Sequence, residues 1–167
     1  MTPVTPVTAP QAPTTSTTDL EHSFVLGFLF EEADLDHQLV VVIKKTKPYW
    51  QAGKFNGVGG HIKAGESPHQ AMIREFHEET GVFTCVWHQF ALMTYHNGDK
   101  VWCYAAADNQ DVDNCATQGV EEIYRMDRDH LRERAPTLPN IRWLADMALA
   151  KLKHPSEPVL EINYPQQ

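Results

Sequence analysis

The feature that most constrains the fold is the stretch Gly53–Val82, GKFNGVGGHIKAGESPHQAMIREFHEETGV, which holds six of the nine glycines in the chain. Most of these glycines come first, and the glutamates follow. Ser67, Pro68 and Gln70 predict a helix start, with Ser at the N-cap, Pro at the first helical position and Gln at the capping-box position. Gly81 predicts the stop of this helix. The stretch is therefore expected to form a loop, a helix and a second loop.

The predicted helix separates its apolar side chains from its acidic ones. Met72, Ile73 and Phe76 lie within about 100 degrees of one another at the helical turn angle, which predicts a buried face. Three glutamates spaced i, i+3 and i+4 share a neighbouring stripe: Glu75, Glu78 and Glu79. Like charges at these spacings repel by roughly 0.2 to 0.5 kcal/mol per pair, and a divalent cation among them would relieve that repulsion. The helix alone leaves a solvated surface and a metal site equally open.

The glycines before the helix favour the metal site, because a backbone without side chains can approach a ligand closely. Gly60, five residues, Glu66, seven residues and then REFHEETGV match the signature G-x5-E-x7-R-E-U-x-E-E-x-G-U, with Phe76 and Val82 at the apolar U positions. This is the signature of the Nudix hydrolases, and the chain resembles that family. Within it, the chain is most similar to the MutT-like enzymes that clear oxidised purine nucleoside triphosphates from the nucleotide pool. The resemblance spans residues 22 to 165 in outline, but only this signature is specific. The segment Gly60–Val82 that carries it is here called the box.

The resemblance implies an α/β fold (α+β), an α/β/α sandwich around a mixed β-sheet. It also implies a Mg²⁺ site whose ligands are the box carboxylates and one carbonyl: Glu75, Glu78, Glu79 and Gly60. Arg74 and Glu66 are implied to hold the helix carboxylates in place for catalysis. Mg²⁺, with Mn²⁺ able to substitute, prefers oxygen ligands and binds substrate phosphates. It would neutralise charge at phosphorus and activate the attacking water.

Members of the family often use one more carboxylate, from a loop beyond the hairpin, as a ligand or base. Glu121 and Glu122 in GVEEIYRMD are the residues that match. An exposed acidic pair before a helix is just as often only solvated.

The substrate-binding residues implied by the resemblance lie before the box and near the last helix. In the related enzymes an aromatic residue and an Asn stack on and hydrogen-bond the base, and here Trp50, Phe55 and Asn56 match. Asn140 stands where those enzymes carry a polar base-reading residue. Trp50 is equally well explained as a core or lid aromatic, and Asn140 as a helix N-cap. Pro139-Asn140 replaces the acidic pair of some relatives, which weakens the case for selectivity toward oxidised guanine.

The implied reaction is hydrolysis of a nucleoside diphosphate-linked small molecule. The expected substrate is a modified or oxidised, 8-oxo-dGTP-like purine nucleoside triphosphate, cleaved to the monophosphate and pyrophosphate. One alternative is a pyrophosphatase for ADP-ribose, a dinucleoside polyphosphate or another nucleotide conjugate. TYHNGDK lacks the Pro typical of ADP-ribose enzymes, and Tyr95 lies too close to the box for the dinucleoside pattern. The other alternative is a non-catalytic nucleotide-sensing domain, but such domains tend to lose box carboxylates, all of which are present here.

Outside the box, the pattern predicts further strands and a helix. SFVLGFLF (Ser23–Phe30) and LVVVIKK (Leu39–Lys45) are apolar runs typical of strands. Asn97-Gly98 is the strongest signal for a two-residue hairpin turn and lies between two more such runs. PNIRWLADMALAKLKH has helical spacing of its apolar residues, with cations near its C-terminal end. VLEINY (Val159–Tyr164) predicts an edge strand.

Composition and charge predict one domain behind a tail. Residues 1–20, rich in Thr and Pro and lacking a signal-peptide pattern, are expected to be disordered, and residues 21–167 to form a single domain. The formal charge of -8 disfavours binding of a nucleic acid polymer. No run approaches the ~18 apolar residues that span a bilayer, so no membrane partner is expected. Three cysteines without C-x-x-C spacing fit reduced thiols and a cytoplasmic location. The oligomeric state is not indicated.

Overall fold

The computed structural model describes residues 22–32 and 38–164, so the predicted tail lies outside the described residues. The strands are β1 (Ser23–Phe30), β2 (Leu39–Lys44), β3 (Phe55–Asn56), β4 (His88–Tyr95), β5 (Lys100–Ala107), β6 (Glu122–Asp127) and β7 (Leu160–Tyr164). The helices are α1 (Pro68–Thr80), α2 (Asn109–Asn114), α3 (Arg128–Glu133) and α4 (Ile141–Lys153). None of the helices in these two ranges is long and apolar enough to cross a membrane.

The strands form one mixed sheet in the order β3-β2-β1-β5-β4-β7, and β6 also pairs with β2. β1 runs parallel to β5 and β4 runs parallel to β7, while the other strand pairs are antiparallel. β1 is buried along almost its whole length, as expected for a central strand that is covered on both faces.

Helices cover both faces of this sheet. Met72 and Phe76 of α1 pack with Val112 of α2 in one core cluster. Leu131 of α3 and Leu144 of α4 belong to a second cluster on the other face. Successive residues of β1 alternate between the two clusters, because side chains along a strand point to opposite faces. The predicted α/β/α sandwich around a mixed sheet is confirmed.

Several local predictions are confirmed, some with corrections. β1 has the predicted bounds, β2 ends one residue earlier at Lys44, and β7 lies at the edge of the sheet. The predicted hairpin forms, but its connection is longer than two residues. Four residues, 96–99, join β4 to β5. The amide of Gly98, which has φ 90°, donates to the carbonyl of Tyr95 (2.9 Å), and the amide of Tyr95 donates to the carbonyl of Asp99 (2.8 Å). All three cysteines are free.

The clearest correction outside the box concerns the stretch GVEEIYRMD. The acidic pair was expected to precede a helix, but Glu122 begins strand β6. This strand pairs antiparallel with the whole of β2, from Leu39 opposite Asp127 to Lys44 opposite Glu122. Such pairing between distant segments overrides the weak local pattern.

Candidate active site

The box folds as the predicted loop, helix and loop. The Ser67 hydroxyl accepts a hydrogen bond from the Gln70 amide (3.2 Å), and the Gln70 side-chain oxygen accepts one from the Ser67 amide (2.8 Å). This is the reciprocal capping box expected from the sequence. At the other end Gly81 adopts φ 77° and its amide donates to the carbonyl of His77 (2.9 Å). The helix therefore begins and ends where its local chemistry predicts.

Arg74 donates hydrogen bonds to three glutamates of the box. Its Nε and Nη2 donate to the two oxygens of Glu66 at 2.5 and 2.8 Å, and Nη2 also donates to the carbonyl of His61 (2.9 Å). Its Nη1 donates to Glu75 (2.7 Å) and to Glu78 (3.1 Å). The hydrogen bonds from Arg74 lower the pKa of Glu66. This two-point pairing sets the direction of the guanidinium plane and, through it, of the helix carboxylates.

Gly60 lies directly against Glu75. A Cβ at Gly60 would stand 2.6 Å from the Glu75 carboxyl carbon, so only glycine leaves this carboxylate where it is. The Gly60 carbonyl accepts a hydrogen bond from the Val25 amide (2.9 Å) on β1. A carbonyl oxygen has two lone pairs, and one remains for a ligand.

Glu79 is half-buried and lies within reach of other charges. Burial raises its pKa, the ammonium of Lys45 opposes this, and the negative charges of Glu121, Glu75 and Glu78 raise the pKa further. A carboxylate whose ionised form is disfavoured by burial and like charges is one that a divalent cation would stabilise. The donors are all oxygen atoms, which is the ligand chemistry of Mg²⁺.

The rotamers in this structure do not gather these carboxylates into a closed set of ligands. In ranges 22–32 and 38–164, no three His, Cys, Asp or Glu side chains are grouped closely enough to hold a metal ion. Two of the glutamates are turned instead toward Arg74, as described above. The donor chemistry fits Mg²⁺.

The two glutamates beyond the hairpin have different surroundings. Glu122 is exposed, and its carboxylate accepts a hydrogen bond from the Tyr124 hydroxyl (2.6 Å). Glu121 is only 7% exposed. Its carboxylate accepts hydrogen bonds from Lys45 Nζ, the Thr46 amide (2.6 Å) and the Thr46 hydroxyl (3.1 Å). Burial raises the pKa of Glu121, but these donors outweigh burial and the net shift is downward.

A cavity of about 580 Å³ adjoins the box. Gly60 lines it and also lies against Glu75. Three of the four residues expected to bind the base line this cavity: Trp50, Asn56 and Asn140. The cavity thereby brings together three residues that lie far apart in the sequence, and their role in binding a base stays a prediction.

Phe55 is the exception, and its prediction as a base-binding residue needs correction. It is absent from the cavity lining, is buried in the core and packs edge-on against Tyr124 with ring centroids 5.2 Å apart. Phe55 and Asn56 are neighbours on strand β3, so their side chains point to opposite faces. Because Asn56 faces the cavity, Phe55 faces the core.

The two asparagines present different atoms to the cavity. The side-chain oxygen of Asn56 accepts a hydrogen bond from the Gly57 amide (2.9 Å), which leaves its NH₂ group as the free donor. Asn140 stands at the N-cap position of α4 but makes no side-chain cap hydrogen bond. Its NH₂ group instead approaches the Tyr95 hydroxyl at 3.5 Å. The capping explanation for Asn140 is therefore wrong, and its side chain is directed to the cavity wall.

Several cavity residues were not identified from the sequence. Lys45 and Lys47 follow the end of β2, and Tyr95 and Asp99 come from the β4–β5 hairpin. The sequence signal for the lysines is only their position after an apolar strand, which is common to many surface lysines. Burial raises the pKa of Tyr95 to about 12, so its hydroxyl stays protonated and can donate.

The comparisons with known proteins agree with this fold and box. The family model described as the NUDIX domain matches residues 21–146. None of the curated proteins matches this chain significantly. Among solved structures, the Nudix domain of Shewanella oneidensis NrtR complexed with ADP ribose is 19% identical with TM-score 0.67, covering 78% of this chain and 87% of its own.

Two further structures have the same fold. A structure of MutT, from a study of the Aliivibrio salmonicida and Vibrio cholerae proteins, is 17% identical with TM-score 0.58, covering 76% of this chain and 95% of its own. A Nudix hydrolase from Nitrosomonas europaea is 15% identical with TM-score 0.61, covering 86% of this chain and 79% of its own. At these identities the likeness shows the fold, while the family model spans most of the chain. The chain belongs to the Nudix domain family, and its identification as a Nudix hydrolase is confirmed at the level of that family.

Proposed function

We propose that this protein is a Mg²⁺-dependent hydrolase of a purine nucleoside triphosphate, modified or oxidised, which it converts to the monophosphate and pyrophosphate. The observation that carries the proposal is the joining of two sites at Gly60. Gly60 lines a cavity that also holds Trp50, Asn56 and Asn140, and it lies against the Glu75 carboxylate of the box. A substrate with its base in the cavity would extend its phosphates toward the box.

The box supplies the charged half of this site. Glu75, Glu78, Glu79 and the carbonyl of Gly60 are the groups that would hold Mg²⁺. When bound, Mg²⁺ supplies charge neutralisation for the phosphates and a water of lowered pKa. Arg74 orients two of these carboxylates and is itself oriented by Glu66. Removal of a damaged nucleotide from the nucleotide pool is the role that such a reaction would serve.

The cavity supplies the half that recognises the base. Trp50 is 61% exposed at its rim and offers a flat apolar face for stacking. The NH₂ group of Asn56 is a donor suited to a carbonyl oxygen on a purine. The side chain of Asn140, beside the Tyr95 hydroxyl, adds polar groups at a further part of the wall. A base with both donors and acceptors on its edge would satisfy these groups.

The second candidate is a nucleotide conjugate such as ADP-ribose. It is favoured by the structural likeness to the NrtR Nudix domain, which was crystallised with ADP ribose. A domain that binds such a ligand without cleaving it is the corresponding non-catalytic alternative. All of the box carboxylates are retained in this chain, which favours catalysis over sensing alone.

A panel of substrates tests the proposal. The protein is incubated with Mg²⁺ and with purine triphosphates, an 8-oxo purine triphosphate, a pyrimidine triphosphate, ADP-ribose or a dinucleoside polyphosphate, and the products are separated. We expect kcat/KM to be highest for a purine triphosphate, with the monophosphate and pyrophosphate as products. Faster cleavage of ADP-ribose would refute the triphosphate proposal and support the second candidate.

Two variants test the base pocket within the same panel. Asn56→Ala should lower kcat/KM for the best purine. The corresponding rise in activation free energy should be about 1 to 3 kcal/mol, the cost of a polar group left unpaired, and it should be much smaller for a pyrimidine triphosphate. Asn114→Ala is the control, because Asn114 is an exposed asparagine at the end of α2. An equal loss on every nucleotide in Asn56→Ala would show that Asn56 does not read the base.

A further inference from the structure

The loop formed by residues 45–54, here called the Trp50 loop, forms one wall of the cavity. It contributes five residues to the lining: Lys45, Lys47, Pro48, Trp50 and Gln51. The loop closes on itself, since the Gly53 amide donates to the Lys45 carbonyl (2.8 Å) and the Lys45 amide donates to the Lys54 carbonyl (2.9 Å). These bonds lie within the loop and do not join Thr46 or Lys47 to the rest of the domain.

Glu121 supplies that tie. The ladder between β2 and β6 ends at the pair Lys44 and Glu122. The next residues on the two sides, Lys45 and Glu121, are joined by a bond between their side chains instead. The Thr46 amide donates to Glu121 at 2.6 Å and the Lys47 amide donates at 3.4 Å. The Glu121 carboxylate thus takes the place of a backbone partner for the first residues of the Trp50 loop.

Glu121 is itself held against the end of helix α1. The segment before it packs on this helix end, with the Ala116 amide donating to the Thr80 carbonyl (3.0 Å) and the Gln118 amide donating to the Glu79 carbonyl (3.2 Å). The segment from Ala116 to Glu121 therefore connects the helix that carries the box to the loop that carries Trp50.

Both carboxylate oxygens of Glu121 are engaged by these contacts. Oε1 accepts from the Thr46 amide, the Thr46 hydroxyl and the Lys47 amide, while Oε2 is bonded to Lys45 Nζ. One of these donors is the Lys45 ammonium, which forms an ion pair with Glu121. A carboxylate in this state is held by the amides of the Trp50 loop and by the Lys45 ammonium.

From these contacts we infer that Glu121 is a positioning residue that holds the Trp50 loop in register with the box, so that the base and the phosphates of one substrate are bound together. The inference rests on the proposed function, because it assigns the Trp50 loop to the base. It differs from the role of ligand or base expected from the sequence. The two roles affect different kinetic constants.

Kinetics of Glu121→Gln distinguish the two roles. Glutamine keeps the shape and one acceptor but loses the charge that pairs with Lys45. For a positioning residue we expect KM for the best nucleotide to rise about tenfold, the loss of one charge-assisted hydrogen bond, while kcat and the Mg²⁺ concentration for half-maximal rate stay within about twofold. Glu133→Gln, an exposed glutamate on α3, is the control. A kcat lowered by two orders of magnitude with a raised Mg²⁺ requirement would overturn the inference.

Hydrogen exchange gives a test that does not depend on activity. In Glu121→Ala the amides of residues 45–47 and 49–54 should exchange at least tenfold faster than in the wild type, whereas exchange in β1 and α1 should be unchanged. Unaltered exchange in the Trp50 loop would refute the tie. If the wild type hydrolyses no nucleotide but the loop exchange still responds to Glu121→Ala, the proposed function fails while the structural inference stands.

Discussion

Gly60→Ala is the substitution whose effect follows most directly from the geometry of the box. A Cβ at this position would stand 2.6 Å from the Glu75 carboxyl carbon and 2.8 Å from its Oε1, where ordinary contact begins at 3.4 Å. The Oε2 of Glu75 would be nearer still, so the carboxylate must retreat by about 1 Å. Gly60 does not adopt a positive φ, so alanine adds no backbone strain. The perturbation falls on one catalytic group.

The expected cost is in turnover rather than in stability. A misplacement of about 1 Å in an active site can lower the rate about 100-fold, or about 2.7 kcal/mol in the activation free energy. The carboxylate lies at the end of a flexible side chain, so the free energy of unfolding should change by less than about 1 kcal/mol. Steady-state kinetics at saturating Mg²⁺ and thermal unfolding measure the two effects on the same samples.

Gly59→Ala is the matched comparison. Its Cβ would meet the backbone of β1, at 2.8 Å from the Val25 carbonyl carbon and 3.0 Å from the Leu26 Cα. A central strand cannot move aside, so this variant should lose about 1 to 3 kcal/mol of stability, or about 2–4 °C of Tm per kcal/mol. Wild-type turnover in Gly60→Ala, or a loss of Tm as large as in Gly59→Ala, would refute the reasoning.

Four further predictions concern the box and the N-terminal tail. Glu78→Gln and Glu79→Gln should each lower turnover by about two orders of magnitude or more with the fold intact by circular dichroism, and near-normal rates at saturating Mg²⁺ would contradict the metal assignment. In EDTA, Glu79→Gln should unfold at a slightly higher temperature than the wild type, because the raised pKa of Glu79 means that its ionised form destabilises the fold; a lower Tm would contradict this. Ser67→Ala should cost about 1 kcal/mol in chemical denaturation through loss of the helix cap while leaving kcat unchanged. A protein that begins at Asp19 should keep its Tm and turnover, and loss of either would show that the tail packs on the domain.

Features with local causes could be predicted from the sequence. The bounds of helix α1 follow from Ser67, Gln70 and Gly81, which act on their own neighbours. The pairing of Arg74 with Glu78 follows from helical spacing. Trp50 and Asn56 line the cavity, but they were singled out through the resemblance to the Nudix family and not through a local physical cause.

Features that depend on distant partners were missed. Strand β6 exists because it pairs with β2, which lies far away in the sequence. Glu121 owes its burial and its four donors to residues more than 70 positions earlier, so nothing beside it in the chain distinguishes it from exposed Glu122. The orientation of Phe55 depends on the register of the two-residue strand β3, which no local pattern indicates. Lys45 and Lys47 line the cavity, and both are bonded to Glu121, which is likewise distant in the sequence.

The most direct test of the central claim is Mg²⁺-dependent cleavage of a purine nucleoside triphosphate by the wild type and by Glu79→Gln. Products are separated after incubation with Mg²⁺ and, in parallel, with EDTA. The account predicts the monophosphate and pyrophosphate from the wild type with Mg²⁺ only, and at least about 100-fold less from Glu79→Gln. Equal cleavage in EDTA, equal cleavage by Glu79→Gln, or no cleavage of any nucleotide by the wild type would contradict it.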